Sequence, residues 1–117
     1  MTKGKLYLIP SPLGDYAPAE VIPAGTLNVL RGLKIFVVEE IRTARRYLSA
    51  AGMKGHIGEL EFHELNEHSS KEDTEALAGL FDKGDVGLIS EAGLPAVADP
   101  GAALVALCHL HGIAVVL

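Results

Sequence analysis

Three stretches of this chain concentrate the residue types that can do chemistry. The first is Glu39-Glu40-Ile41-Arg42-Thr43-Ala44-Arg45-Arg46, an acidic pair running straight into a basic segment. Carboxylates can accept hydrogen bonds from ligand hydroxyls or take a proton, and Arg42, Arg45 and Arg46 can hold phosphates. The same residues also have a plain structural reading: acids suit the positive end of a helix, and Glu–Arg pairs on a solvated face need no ligand. The second stretch is Pro10-Ser11-Pro12-Leu13-Gly14-Asp15. Its prolines stiffen the chain, and Gly14 permits close backbone approach. It carries neither the G-x-G-x-x-G fingerprint nor a Walker loop, so an ordinary rigid connection explains it equally well. The third runs from Ser90 to Gly101 and includes Glu91, Gly93 and Leu94. Its small side chains let a ligand reach backbone N–H and C=O groups. A connection of that length itself hints at function.

Two further polar groupings invite weaker readings. His63, Asn66, Glu67 and His68 gather after a short apolar run, but their spacing matches no standard metal site. Cys108, His109 and His111 stand near a helix end; positions 109 and 111 do not share a helical face, so a core-facing cysteine with solvated histidines is expected. With one cysteine, the chain can form no internal disulfide and no multi-cysteine zinc site, which fits reduced, cytoplasmic surroundings.

The elements that must position these residues follow from hydrophobic patterning. Apolar runs at Leu6–Ile9, Ile35–Val38, Val86–Ile89 and Ala114–Leu117, and a less apolar one at Leu60–Leu65, read as strands. Continuous apolarity predicts parallel strands covered on both faces. Between them lie four helical patterns. Leu27 and Leu30, with Val29 flanking, mark the first, and Ile41, Ala44 and Leu48 the second. Leu77, Leu80 and Phe81 mark the third, opened by Ser69 or Ser70 with Glu72 and Asp73 in its first turn. Ala103, Leu104 and Leu107 mark the fourth, with Asp99 as N-cap, Pro100 in the first turn and Gly112 as terminator. The order β-α-β-α-β-α-β-α-β predicts an open, mainly parallel five-stranded α/β sheet with helices on both faces. Ligands of such sheets bind beyond the carboxyl ends of the strands, where all three chemical stretches fall.

Composition narrows the classes. With 117 residues, one domain is expected, and 49% hydrophobic content supplies its core, excluding a disordered or low-complexity chain. A net charge of −5 argues against a domain that grips nucleic acid by charge alone. No segment resembles a signal peptide, and the longest apolar stretch, Ala102–Leu117, is broken by His109, His111 and Gly112 and falls short of the roughly 20 residues of a membrane helix. Because Ala114–Leu117 stops within an apolar run, the chain is expected to be a piece of a longer protein.

Taken together, three motifs carry a resemblance. LYLIPSPLGD resembles LYLVPTPIGN, VVEEIRTARRYL resembles AAEDTRxTRxLL, and LISEAGLPAVADPG resembles LISDAGTPGISDPG. The patterns are those of the tetrapyrrole (corrin/porphyrin) methylase superfamily, in the branch of small-subunit ribosomal RNA (cytidine-2′-O)-methyltransferases. They occur in family order and span nearly the whole chain. Departures fall at Asp15, Glu40, Ile41 and Glu91, where the family patterns have Asn, Asp, Thr and Asp. The third-strand exit reads HELNEH where the family has a His-Asn-Glu cluster.

The resemblance implies that residues 1–117 are the N-terminal domain of a two-domain methyltransferase that holds S-adenosylmethionine between its halves, the C-terminal domain being absent from this chain. Pro12, Leu13 and Gly14 become cofactor- or substrate-cleft residues, with cofactor binding the first assignment, and Glu91, Gly93 and Leu94 line the methionine or adenosine part. Glu39, Glu40 and Arg42 face the methyl acceptor, a ribose 2′-hydroxyl of small-subunit rRNA, with Glu40 the first candidate base and Glu39 the second. Arg42, Arg45 and Arg46 offer positive charge to RNA. A homodimer and a cytoplasmic location are expected, with no metal and no membrane. Two competing readings are methylation of a tetrapyrrole or another small metabolite, and an isolated non-catalytic folding or dimerisation module.

Overall fold

The computed structural model describes residues 3–10, 24–90 and 99–117. Five strands form one all-parallel sheet: β1 (Leu6–Pro10), β2 (Ile35–Val38), β3 (Glu61–Glu64), β4 (Val86–Ser90) and β5 (Val115–Val116), in spatial order β3-β2-β4-β1-β5. The helices are α1 (Ala24–Gly32), α2 (Ile41–Leu48), α3 (Lys71–Ala76) and α4 (Asp99–Leu110). The predicted alternation of strands and helices and the open parallel sheet are both observed.

Strand period places alternate side chains on opposite faces, and the apolar runs fill both. Leu6, Leu8, Ile35, Val37, Val86 and Leu88 pack with Leu77, Leu80, Phe81, Leu104 and Cys108, on the side of α3 and α4. Ile9, Phe36, Val38 and Ile89 pack with Leu27, Leu30, Ala44 and Leu48, on the side of α1 and α2. Every residue of β2 is buried, as a central strand sandwiched by helices requires. Combined with the strand order, this layering gives the carboxyl rim a definite character. Passing along β3, β2, β4 and β1, successive strands send their chains to alternate faces of the sheet. Each boundary between such neighbours is a topological switch point, the place where open α/β sheets form crevices.

Several expected elements are shorter or differently built. The fifth strand pairs only at Val115 and Val116, both half-buried, and Leu117 is 98% exposed, so the expected run Ala114–Leu117 is an abbreviated edge. The third strand contracts from Leu60–Leu65 to Glu61–Glu64. The third helix is two pieces: α3, closed by a capping box between Ser70 and Asp73, and a 3₁₀ segment, Leu77–Asp82, that carries the buried Leu77, Leu80 and Phe81. Gly79 inside that segment weakens the α-helical alternative. Asp99 is the first residue of α4 rather than the residue before it. At the other end Gly112 takes φ +70°, its N–H donates to the His109 carbonyl and the Ile113 N–H to the Cys108 carbonyl. This is a Schellman stop with Ile113 buried behind it. Cys108 faces the core, where burial pushes its thiol up to about 11, while His109 and His111 are exposed.

The outer strand β3 explains His63. Rather than joining a cluster beyond the strand, His63 lies within β3 and its Nε2 is 2.6 Å from Glu61 Oε2. Lys83 Nζ donates to both Glu61 oxygens at 3.1 Å. Charged side chains on an edge strand discourage pairing with another chain. The hydrogen bond with His63, then that from Lys83, hold the Glu61 carboxyl below its ordinary value of 4.5.

Two predictions follow from this packing. A Cβ on Gly87 would lie 2.9 Å from Leu33 Cδ1 and 3.1 Å from the Phe36 ring, both buried, so Gly87→Ala forces core side chains to shift. Denaturant unfolding should show a loss of roughly 1–3 kcal/mol. For Glu61, a lowered folded-state pKa means that its contribution is present above the ordinary carboxyl value and is lost as pH falls through the folded value. The stability gap between wild type and Glu61→Gln should therefore hold from neutrality down to about pH 4.5 and close at lower pH, as read by unfolding midpoints across a pH series. A gap that persists undiminished well below the ordinary carboxyl value contradicts the assignment.

Candidate functional site at the carboxyl rim

Strand β2 ends at Val38, and the acidic pair forms the turn into α2. Glu40 is the N-cap residue, with φ −144° and ψ 125°, and its carbonyl accepts the first helical bond from Ala44 N–H at 3.1 Å. Its side chain does not cap the helix; Glu40 Oε1 instead accepts from the Thr43 hydroxyl at 2.8 Å. The capping role passes to another strand. Glu64, the last residue of β3, accepts from the Ile41 N–H at 2.9 Å through Oε2. A carboxylate at a helix start satisfies an orphan donor and complements the dipole. The parallel register makes this possible by setting Val38 opposite Glu64. One residue further, Leu65 N–H donates to the Val38 carbonyl at 2.8 Å, and Asn66 Nδ2 donates to the Glu39 carbonyl at 3.1 Å.

Glu39 is half-buried and Glu40 exposed. Glu39 borders two hollows. On the α3/α4 side lies a groove of about 1060 Å³, walled by Asn66, Ser70 and Lys71 on one flank and by Ala103, Leu107 and Leu110 on the other. On the α2 side is a small hollow of about 10 Å³ between Glu39, Glu40, Thr43, Tyr47 and Ile89, close to the size of one water site. Burial pushes the Tyr47 phenol up to about 12, so it stays protonated at neutral pH. Among the described residues no group of three or more His, Cys, Asp or Glu is arranged to hold a metal ion.

The three arginines do not form one cluster at the rim. A crossover helix runs back from the rim, so Arg42 stands in its first turn while Arg45 and Arg46 lie about 5 Å further along the axis. The Arg45 guanidinium rests over the Phe62 ring at 5.7 Å from its centroid, and Phe62 in turn stacks on Phe36 at 6.0 Å. Arg45 thus covers the aromatic flank of the sheet edge. Arg42 and Arg46 are exposed and share one helical stripe.

Pro12, Leu13, Gly14, Glu91, Gly93 and Leu94 lie outside the described residues. The strands leading to them end in register, with Pro10 of β1 opposite Ser90 of β4, and Val38 of β2 opposite Ile89. The three chemical stretches therefore depart from adjacent points on one rim. In the sequence Glu64 figures only within the HELNEH string, and Asn66 only there and in a weak metal grouping; neither was assigned a role at the acidic turn. The signal for both is the residue register between β2 and β3, which no local pattern carries.

No family model matches the chain. Curated relatives do. It is 30% identical over 116 residues to the ribosomal RNA small subunit methyltransferase I of Escherichia coli O157:H7, an alignment covering 98% of this chain and 38% of that protein. The protein of the same name from Micromonospora olivasterospora is 36% identical over 104 residues, covering 88% of this chain and 31% of the relative. That from Neisseria meningitidis serogroup B is 33% identical over 102 residues, with 86% and 32% covered. The chain thus spans less than two fifths of the length of these relatives. Along that span, the α/β sheet with its acidic rim turn is a homologue of the ribosomal RNA small subunit methyltransferase I proteins, the branch of the tetrapyrrole methylases to which its three motifs point.

Proposed function

We propose that this chain forms the N-terminal α/β domain of a two-domain, S-adenosylmethionine-dependent methyltransferase that modifies a ribose 2′-hydroxyl of small-subunit rRNA. The observation that carries the reading is the 30% identity to a small-subunit rRNA methyltransferase sustained over 98% of the chain. The rim chemistry agrees with it. A sulfonium donor is cationic, and Glu39 and Glu40 follow β2 next to the end of β4, with the end of β1 one strand further along the same rim; the two other motifs depart from those ends. When bound, the cofactor supplies an activated methyl group. Its adenosine and methionine parts fall to Pro12, Leu13, Gly14, Glu91, Gly93 and Leu94.

This chain's own residues orient the acceptor and handle a proton. Glu40, exposed at the head of α2, accepts the proton of the ribose hydroxyl; Glu39, half-buried one residue earlier, is the second candidate. Arg42, a turn or less from the rim, attracts the RNA phosphates near the reacting ribose, and Arg46 extends that stripe. The net charge of −5 leaves most of the RNA footprint to the remainder of the longer protein or to a dimer partner, and it also favours the second reading, a small-molecule acceptor. A single, buried, unreactive cysteine accords with a cytoplasmic enzyme.

Labelled methyl transfer by the full-length protein onto small ribosomal subunits, run beside small-molecule pools, distinguishes the acceptors; label confined to the small molecules overturns the rRNA assignment. In that assay Glu40→Gln should lower kcat by ~10²-fold or more, the usual range for loss of a general base. Calorimetric titration provides the second check. The 117-residue chain should bind S-adenosylmethionine far more weakly than the full-length protein, because half a cleft leaves most of a ligand in water. Micromolar binding by the chain alone contradicts a cleft shared between domains.

A further inference from the structure

The acidic turn is held by the neighbouring strand's exit at two points. Glu64 Oε2 accepts the Ile41 N–H at 2.9 Å just after the turn, and Asn66 Nδ2 donates to the Glu39 carbonyl at 3.1 Å within it. Asn66 is itself fixed: its Oδ1 accepts from the His68 N–H at 3.0 Å and its own N–H donates to Ser69 Oγ at 3.0 Å. The ladder bond from Leu65 N–H to the Val38 carbonyl ties the two exits together beneath these clamps. The Glu40 side chain does not cap α2 but accepts from the Thr43 hydroxyl at 2.8 Å, within the helix's own first turn. The direction in which α2 starts, which carries both Glu40 and Thr43, is therefore set from outside by groups at the β3 exit.

We propose that Glu64 and Asn66 are positioning residues for methyl transfer: they clamp the Glu39–Glu40 turn from the β3 exit and so aim the Glu40 carboxylate, without touching the reacting atoms. The inference rests on the reading of Glu40 as proton acceptor. A group off its productive geometry by an ångström loses much of its rate advantage while substrate binding survives. The clamp therefore governs kcat rather than KM.

The substitutions separate charge from geometry. Asn66→Asp is isosteric and keeps the bond from His68, but sets an acceptor against the Glu39 carbonyl. Glu64→Ala removes the Ile41 acceptor, whereas Glu64→Gln keeps an oxygen there. In the full-length protein, with labelled methyl transfer onto small ribosomal subunits, Glu64→Ala and Asn66→Asp should each lower kcat about tenfold with KM unchanged. Glu64→Gln should retain wild-type kcat. In a Glu40→Gln background neither variant should cause further loss, since both act through Glu40. Amide hydrogen exchange supplies a readout independent of activity: at Ile41 it should accelerate in Glu64→Ala and stay slow in Glu64→Gln.

Wild-type kcat in Glu64→Ala and Asn66→Asp beside a disabled Glu40→Gln overturns the positioning inference alone. The same holds if their loss persists undiminished in the Glu40→Gln background, or if exchange at Ile41 is unchanged by Glu64→Ala. A wild-type rate for Glu40→Gln, with Ile41 exchange still accelerated by Glu64→Ala, instead overturns the proton-acceptor reading and with it the catalytic consequence of the clamp.

Discussion

The parallel register of β2 between β3 and β4 is the constraint on which the rest of the molecule depends. It sets Phe36 and Val38 toward one helical layer and Ile35 and Val37 toward the other. A shift of one residue would exchange these sets and turn apolar side chains meant for one layer into the other. It also aligns three strand ends, so that Ile89, Val38 and Glu64 form a row across the rim. Gly87 belongs to the same constraint. Its missing side chain leaves room for the Phe36 ring and Leu33, which a bulkier residue in β4 would displace.

From that register the character of the rim follows. Among the described residues, the helices that follow neighbouring strands lie on opposite faces of the sheet, the arrangement that opens crevices at a carboxyl rim. The acidic turn stands at such a boundary, with a large groove on one side and a water-sized hollow on the other. Its stability is not a local matter. Where an N-cap side chain would ordinarily close the helix start, Glu40 turns to Thr43 and a carboxylate from β3 serves instead. The arrangement leaves the N-cap residue's own carboxylate at the surface, where a ligand can meet it. The basic residues are divided similarly. Arg45 is engaged with Phe62 at the sheet edge, which leaves Arg42 as the arginine of the motif nearest the rim.

Much of the fold was legible in the residues. Branched, apolar runs marked four of the five strands and a less apolar run marked β3, and β2 occupies the predicted Ile35–Val38. Leu27 with Leu30, and Ala44 with Leu48, are buried as their helical spacing required. Ser70 and Gly112 punctuate helices because their chemistry is local: one accepts an N–H within its own turn, the other tolerates positive φ. Edges were less legible. Leu77, Leu80 and Phe81 fit an α-helical and a 3₁₀ face almost equally well, and Ala114–Leu117 looked like a buried strand although only Val115 and Val116 are strand residues in register with β1. His63 fits in sequence both the third strand, Leu60–Leu65, and a polar cluster after it; only the first holds, because the strand does not end before Glu64.

The sequence by itself determined the order of elements, the two apolar faces and the three motifs that align with ribosomal RNA methyltransferases, because each is encoded over a few neighbouring residues. Tertiary structure alone decided which groups hold the acidic turn. Glu64 reaches Ile41 across 23 positions of sequence, and Asn66 reaches Glu39 across 27. Those contacts depend on the relative shift of two strands, a quantity set by how both apolar layers pack at once and written in no single segment.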